Sequence, residues 1–467
     1  MIAAPPLLSS SLPDTLSGMS DRGSGPDETL KAAEPPLVFC PLGFERRAFL
    51  RFGKLPVVTT GPGADGVRRA FAARDGWPVR NPRFVVLLGL AGSLDDRLAP
   101  GTDHACAEVV TAIDATAPLR SSLIPGATAR FVEHGSVVTT PDEKSRLAAA
   151  SRAQLVDLES YAFASCAEAA GLRWGIVRGV SDGARETLPA ELAGFVDARG
   201  ETRPGRVLAA IARSPSLVRA LMRVGRASRL ALRSASFTVD ALGARSTLEL
   251  CDAAHPLLLY GGSFDPPHAR HATMLADAMR ALRSPCGIVM PARVNPLKSD
   301  APPIAGDARL AMCRAAFSAI GAEIGGEVRL SRLELDREGP SYTIDTVTAL
   351  CERTPSLRGA IRFLVGSDAI RGIERWHRWR ELLALAQPAV VVRPPDTRDA
   401  VAGFLADFAH SSGFADAPSW LLDLAPVELA STDLRTRIAH GERPSGISDA
   451  VWREIAARGL YGFGGAR

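Results

Sequence analysis

Apolar and polar positions along the chain fall into short runs separated by glycine, proline and small polar residues. Val57-Val58-Thr59-Thr60 is β-branched throughout and stops at Gly61-Pro62-Gly63, the pattern of a strand running into a turn. Residues 66–73 repeat apolar positions at helical spacing. Phe84-Val85-Val86-Leu87-Leu88 is an unbroken apolar run of the kind a strand covered on both faces needs, and Gly89-Leu90-Ala91-Gly92 follows it as a glycine-rich turn. Residues 174–180 repeat the strand pattern, and residues 214–235 read as helix. Periodicity weakens over residues 236–254. At Pro256 a second series opens: a strand at 257–260, a glycine-rich turn, a helix from about His271 to Leu282, and strands at 287–290, 361–365 and 389–392. Strands alternating with helices predict α/β architecture in both halves.

A chain of 467 residues exceeds what one core usually spans. The pattern divides it into a leader at 1–34, a first domain at 35–235, a linker at 236–254 and a second domain at 255–467. The leader is rich in Pro, Ser and Gly, carries no aromatic residue, and lacks the basic-then-apolar order of a secretory signal. Disorder is the expectation there, and Met19 is a second candidate start. The composition, 46% hydrophobic and 23% charged, is that of a globular protein, and a net charge of +4 gives no reason to expect nucleic acid as partner. Seven scattered cysteines without a CxxC pair speak against a disulfide framework or a zinc site and fit a reducing cytoplasm. No apolar run is long enough to span a bilayer.

The second domain opens with Gly261-Gly262-Ser263-Phe264-Asp265-Pro266-Pro267-His268-Ala269-Arg270-His271. Two glycines after a strand let backbone N–H groups approach an anion, and two histidines three apart at a helix start can face one phosphate chain. The string resembles the signature of the HxGH nucleotidyltransferases, and within them of bacterial nicotinate-nucleotide adenylyltransferase. Further motifs follow in that family's order: Asn295-Pro296-Leu297-Lys298, Ser341-Tyr342-Thr343-Ile344-Asp345-Thr346, Gly366-Ser367-Asp368, Trp376 with Trp379, Ser431-Thr432-Asp433-Leu434-Arg435 and Gly459-Leu460-Tyr461. The resemblance covers about 205 residues and departs at one point, where Arg270 replaces the HxGH glycine; the arginine either touches phosphate or points to solvent, the second being the leading expectation.

The resemblance implies a Rossmann-like, doubly wound parallel sheet. It also implies transfer of AMP from ATP, with Mg²⁺ riding on the phosphates, to nicotinate mononucleotide. His268, His271 and Lys298 are then the phosphate-handling residues. Gly261, Gly262, Ser263, Phe264, Gly366, Asp368, Ser431, Thr432 and Arg435 bind ATP, and Tyr342, Thr343 and Trp376 face the nicotinate nucleotide. Trp379 reads as structural. The alternative is another small phosphate ester as acceptor.

In the first domain, Val156-Asp157-Leu158-Glu159-Ser160 and Val177-Arg178-Gly179-Val180-Ser181-Asp182 place two carboxylates at the ends of apolar segments. Taken alone these read as ordinary charges at a helix start and a strand end. Their wording resembles the nucleoside phosphorylase/nucleosidase superfamily, more loosely and over about 37–235. Within it, Leu188-Pro189 and the basic helix resemble the hopanoid-associated phosphorylases. The implied fold is a phosphorylase-like α/β sandwich, and the implied substrate is a purine nucleoside. Glu159 would hold the ribose hydroxyls and Asp182 would protonate the leaving base. Gly61, Gly63, Gly89, Ala91 and Gly92 would form the nucleoside- or phosphate-binding turns, and Glu45 would activate water or contact the ribose, a solvated surface Glu45 being an equal reading. A non-catalytic nucleoside-binding or scaffold module is the alternative. Homo-oligomers are usual in this superfamily. Arg219, Arg223, Arg226, Arg229 and Arg233 fall on one helix face: a solvated or interdomain face by default, a peripheral membrane contact otherwise.

Overall fold

A computed structural model of the chain describes residues 27–112, 116–121, 123–124, 126–214, 217–294, 304–318, 320, 324, 326–425 and 431–463. Residues 1–26 of the leader and Lys298 lie outside these residues.

Fourteen strands are found among the described residues. β1 is Asp27–Lys31. The first domain then contributes β2 Leu37–Cys40, β3 Val57–Thr59, β4 Val85–Ser93, β5 Asp103–Thr111, β6 Leu119–Arg120, β7 Ala129–Glu133, β8 Leu155–Asp157 and β9 Trp174–Asp182. The second domain contributes β10 Leu257–Gly262, β11 Cys286–Pro291, β12 Glu327–Ser331, β13 Ile361–Gly366 and β14 Ala386–Val391.

The second domain's sheet runs β1-β12-β11-β10-β13-β14. Strands β10 to β14 are mutually parallel, so their order from β12 is 3-2-1-4-5, a doubly wound sheet. Cores on the two faces bury Leu257, Leu259, Ile288 and Phe363 on one side and Leu258, Val289 and Leu364 on the other. The alternation follows from side chains that point to opposite faces at every second residue. Such a sheet gathers ligands at the carboxyl ends of its strands, next to the point where strand order reverses. Here that point lies between β10 and β13.

In the first domain β4 pairs with β9 and β8, β9 with β5, β5 with β7, and β7 with β8, which closes a five-stranded ring; β2 and β3 extend it from β4. Register slips between the pairs Ala91–Val180 and Gly92–Asp182, leaving Ser181 as the extra residue of a bulge.

Three expectations need correction. The leader does not extend to residue 34: Asp27–Lys31 forms a strand antiparallel to β12, fixed by a two-pronged pairing of Arg314 with Glu28 at 2.6 Å, and covers an edge that β12 would otherwise leave bare. The segment 236–254 is not all linker: one helix runs Leu217–Ala244, because Ala235, Ser236, Val239 and Leu242 are buried on its inner side. Lastly, Gly89–Gly92 is not a turn but the continuation of β4 to Ser93.

Candidate functional sites

In the second domain β10 delivers the chain at its carboxyl end into Ser263–His268, and the helix Ala269–Ala281 begins with the two histidines. Gly261 is exposed, and a Cβ there would meet nothing within 4 Å, so the strand end is open to a ligand. Phe264 turns the chain with a left-handed φ of 45° and packs its ring 5.2 Å from both Tyr260 and His271. The rings of His268 and His271 stack at 3.7 Å. His271 Nδ1 accepts the His268 backbone N–H at 3.1 Å, which places the proton of the neutral ring on Nε2. His268 is buried, and its Nδ1 has no hydrogen-bond partner among the described residues. Burial, then the nearby Arg393 and Arg270, push its pKa down to about 4, so the ring is neutral at physiological pH. Arg270 is exposed, as expected.

The loop is held from several sides. Arg435 Nη1 donates to the Asp265 carbonyl at 2.8 Å and the Tyr461 hydroxyl to Asp265 Oδ1 at 2.7 Å. The 2% exposed Arg309 donates to the carbonyls of Ser263, Ala292 and Ile304 at 2.7–2.9 Å. Ser431 and Thr432 begin the helix Ser431–Ala439; their side chains are not among the described ones.

Gly366 ends β13 beside β10. A Cβ there would collide with Asp368 and lie 2.7 Å from Arg393, and Arg393 Nη1 stands 3.4 Å from Asp368 Oδ2. Tyr342 and Thr343 lie on the far side of β10, tied to the end of β11 by Ser341, whose N–H donates to the Val294 carbonyl at 3.0 Å. The Tyr342 ring lies 4.4 Å from His377. Trp376 is half-buried, and its indole N–H has no partner among the described residues. Trp379 packs into an aromatic cluster with Phe408 and Phe414, a structural place. The sequence reading missed Arg309 and Arg393. The only local signal for Arg393 is a basic residue just past the carboxyl end of a parallel strand.

The first domain holds two buried charged clusters. Arg178, with no exposed surface, donates from Nε to Asp157 Oδ2 at 2.6 Å and from Nη2 to Glu159 Oε2 at 3.0 Å. Glu159 Oε1 also accepts from the Gly63 N–H at 2.8 Å, so the Gly61-Pro62-Gly63 turn, with φ of 83° and 78° at its glycines, is bound to this carboxylate. Glu45 is buried, not a solvated surface group, and accepts the N–H groups of Leu42 and Leu90 at 2.9 Å. Burial pushes its pKa up to about 8, opposed by Arg178. Burial likewise raises Glu159. Gly89 is required where these meet: a Cβ would strike Arg178 and come within 2.9 Å of Glu45.

Asp182 belongs to the second cluster. Lys144 Nζ lies 2.5 Å from its Oδ2, both side chains are 1% exposed, and Ser181 Oγ lies 2.5 Å from its Oδ1. Gly92 leaves 3.3 Å between a would-be Cβ and Asp182 Oδ2, and Ala91 is buried one residue earlier. Glu45 and Glu159 thus come together through Arg178. Asp182 sits four residues further along the same strand, about 13 Å at the usual rise. Lys144 and Arg178 had drawn no role from the sequence.

A doubly wound sheet that opens its central strand onto stacked histidines, ringed by arginines, is the framework of a nucleotidyltransferase. Residues 259–437 match the Cytidylyltransferase-like family. A probable nicotinate-nucleotide adenylyltransferase of Gemmatimonas aurantiaca is 34% identical over 204 residues, which span 44% of this chain and 90% of that protein. A second, of Aeromonas salmonicida, is 38% identical over 217 residues, 44% of this chain and 97% of its own. Through this domain the chain belongs to the nicotinate-nucleotide adenylyltransferase family. Residues 103–213 match the Phosphorylase superfamily, a range that includes Glu159, Arg178 and Asp182 but not Glu45. The futalosine hydrolase of Helicobacter pylori superposes at a TM-score of 0.33 and 14% identity over 44% of this chain and 96% of that one, too slight a likeness to add weight.

Proposed function

We propose that the second domain transfers AMP from MgATP to nicotinate mononucleotide, releasing pyrophosphate and deamido-NAD. The stacked His268–His271 pair carries this reading, because a buried ring nitrogen without a partner is costly unless a ligand supplies one. The acceptor phosphate attacks the α-phosphorus in line, and the enzyme positions the groups and offsets charge. His271 Nε2–H and the His268 ring donate to phosphate oxygens, the helix N-terminus adds its dipole, and Arg435 lies beside the loop. Lys298, which lies outside the described residues, takes the leaving pyrophosphate by the same resemblance. Magnesium would keep most of its waters and come with the nucleotide, so this site needs no cluster of protein ligands, and Asp368 is an exposed carboxylate 3.4 Å from Arg393. Tyr342, Thr343 and Trp376 hold the pyridine, with the free indole N–H of Trp376 as a donor to its carboxylate. Pyrophosphate release by the full chain, measured with nicotinate mononucleotide and with pantetheine phosphate, tests the assignment. Absence of turnover with the nicotinate substrate refutes it.

For the first domain we infer cleavage of a purine nucleoside. Glu159 faces the ribose, and Asp182, about a nucleoside's length along the strand, meets the base. Arg178 is already neutralised by Asp157 and Glu159, so the cluster offers no net positive charge to a phosphate; water, activated by Glu45, is the acceptor this favours. One observation supports the second reading, a nucleoside-binding module: both oxygens of Asp182 are already partnered, by Lys144 and Ser181. Adenine release from methylthioadenosine, adenosylhomocysteine or a lipid-linked adenosine decides between the two.

A further inference from the structure

The helix Leu217–Ala244 has one face that the fold leaves uncovered. Arg219, Arg223, Arg226, Arg229 and Arg233 are exposed on it. Between them stand Met222, Leu230 and Phe237, at 61, 52 and 51% exposure. At about 100° per residue all eight positions fall within an arc of about 120°. The opposite face, with Ala231, Leu232, Ala235 and Val239, is buried against the first domain.

Three properties separate this face from an ordinary solvated one. It carries no acidic residue before Asp240. Arg219, Arg226 and Arg229 have no acidic partner among the described residues, while Arg223 reaches Glu186 only at 3.7 Å. Its apolar residues do not shield one another inward: Phe237 meets the 39% exposed Phe52 at 5.5 Å, and Arg233 lies over both rings at 5.7 and 5.8 Å. Of the eight large apolar side chains most exposed among the described residues, three are on this face and a fourth, Phe52, packs against it.

We propose that this face docks on the surface of an anionic lipid bilayer. Guanidinium groups at this spacing meet headgroup phosphates, and Met222, Leu230 and Phe237 reach the acyl boundary beneath them. No described helix is long and apolar enough to cross the bilayer, so the contact argued for lies along its surface. A second copy is a poor occupant, because a two-fold contact would bring like-charged arginine rows together.

The test is flotation of the full chain with vesicles of phosphatidylcholine, with and without phosphatidylglycerol. Binding is expected only where phosphatidylglycerol is present, weakening as salt screens the charges. Each neutralised arginine lowers the partition about fivefold, so Arg226→Gln with Arg229→Gln lowers it about 25-fold. Met222→Ser weakens it independently of salt. All three side chains are exposed and outside both sites, so pyrophosphate release is expected to stay unchanged. Several results overturn the proposal: no binding to anionic vesicles, binding indifferent to these substitutions, displacement from vesicles by single-stranded DNA, or a dimer in light scattering that Met222→Asp dissociates.

Discussion

Replacing Arg309 by methionine isolates how the nucleotide loop is held. The guanidinium lies at the carboxyl ends of β10 and β11 and bonds the carbonyl of the residue that follows each, Ser263 and Ala292, plus Ile304 ahead of its own helix. Methionine fills much of the same space but donates nothing. Three carbonyl oxygens then lose a charged donor at about 1–3 kcal/mol each, offset in part because a buried cation without a carboxylate partner is itself costly. The net loss is about 2–4 kcal/mol. In a domain of this size that lowers its melting temperature by about 5–10 °C. Function falls further than stability, because Ser263 is the residue from which the chain reaches His268, and a displacement of about 1 Å at a reacting centre costs about 10²-fold. The assay is pyrophosphate release below the variant's transition, with kcat and KM for ATP measured separately, and Arg309→Lys beside it. Lysine can reach one or two of the carbonyls, so it should recover most of the stability and only part of kcat/KM. A folded methionine variant with kcat/KM within about threefold of the parent would refute the reasoning.

His268→Ala should cut adenylyl transfer about 10²-fold or more with little change in melting temperature, and in the unliganded protein the His268 ring should stay neutral in an NMR titration down to about pH 5. Glu45 has a folded pKa near 8 against an ordinary value of 4.5, so its contribution to stability is full below about pH 4.5 and is lost as pH rises to about 8; Glu45→Gln should therefore gain stability over the parent at pH 8.5 but not at pH 4, by thermal melts. Any adenine release that uses the Glu45 carboxylate should rise through the same range. Asp182→Asn should abolish that release if the domain is catalytic, and unchanged release would remove Asp182 from the chemistry. Lys144→Met leaves Asp182 buried without its cation and should destabilise the first domain by about 3–5 kcal/mol, read in chemical denaturation.

Strands covered on both faces could be read directly, because their whole signal is local. The apolar run 257–260 lies within β10, 287–290 within β11 and 361–365 within β13. What failed had distant causes. Asp27–Lys31 is polar and sits in a proline-rich segment, and it becomes a strand only because β12, some three hundred residues later, offers an unpaired edge. Residues 236–244 lose clean helical periodicity through Ser236, Thr238 and Asp240, yet Thr238 and Ser234 both donate to Asp103 on β5, so polar residues are docked there and the helix continues. Glycines at 89 and 92 look like turn punctuation. They are strand residues whose missing side chains leave room for groups from elsewhere in the chain.

That last point explains which parts of the sites were legible. His268, His271, Glu159 and Asp182 stand in contiguous strings; the histidine string points to phosphate by its own chemistry, and the other two point to a nucleoside only through their resemblance to the phosphorylase superfamily. Arg178, Lys144, Arg309 and Arg393 do not, because a buried cation acquires its role from its partners. Arg178 interrupts the apolar run of β9 and would be intolerable there alone; three carboxylates, two of them within 3.0 Å, supply the partners it needs. Lys144 is read locally as one more charge in the helix Pro141–Ser151, whose other charged residues are not buried. Its partner Asp182 follows the bulge residue Ser181 on a distant strand. A charged residue that breaks an apolar strand is therefore the sequence feature to question first, since the fold must supply it with a partner and that partner marks where chemistry is arranged.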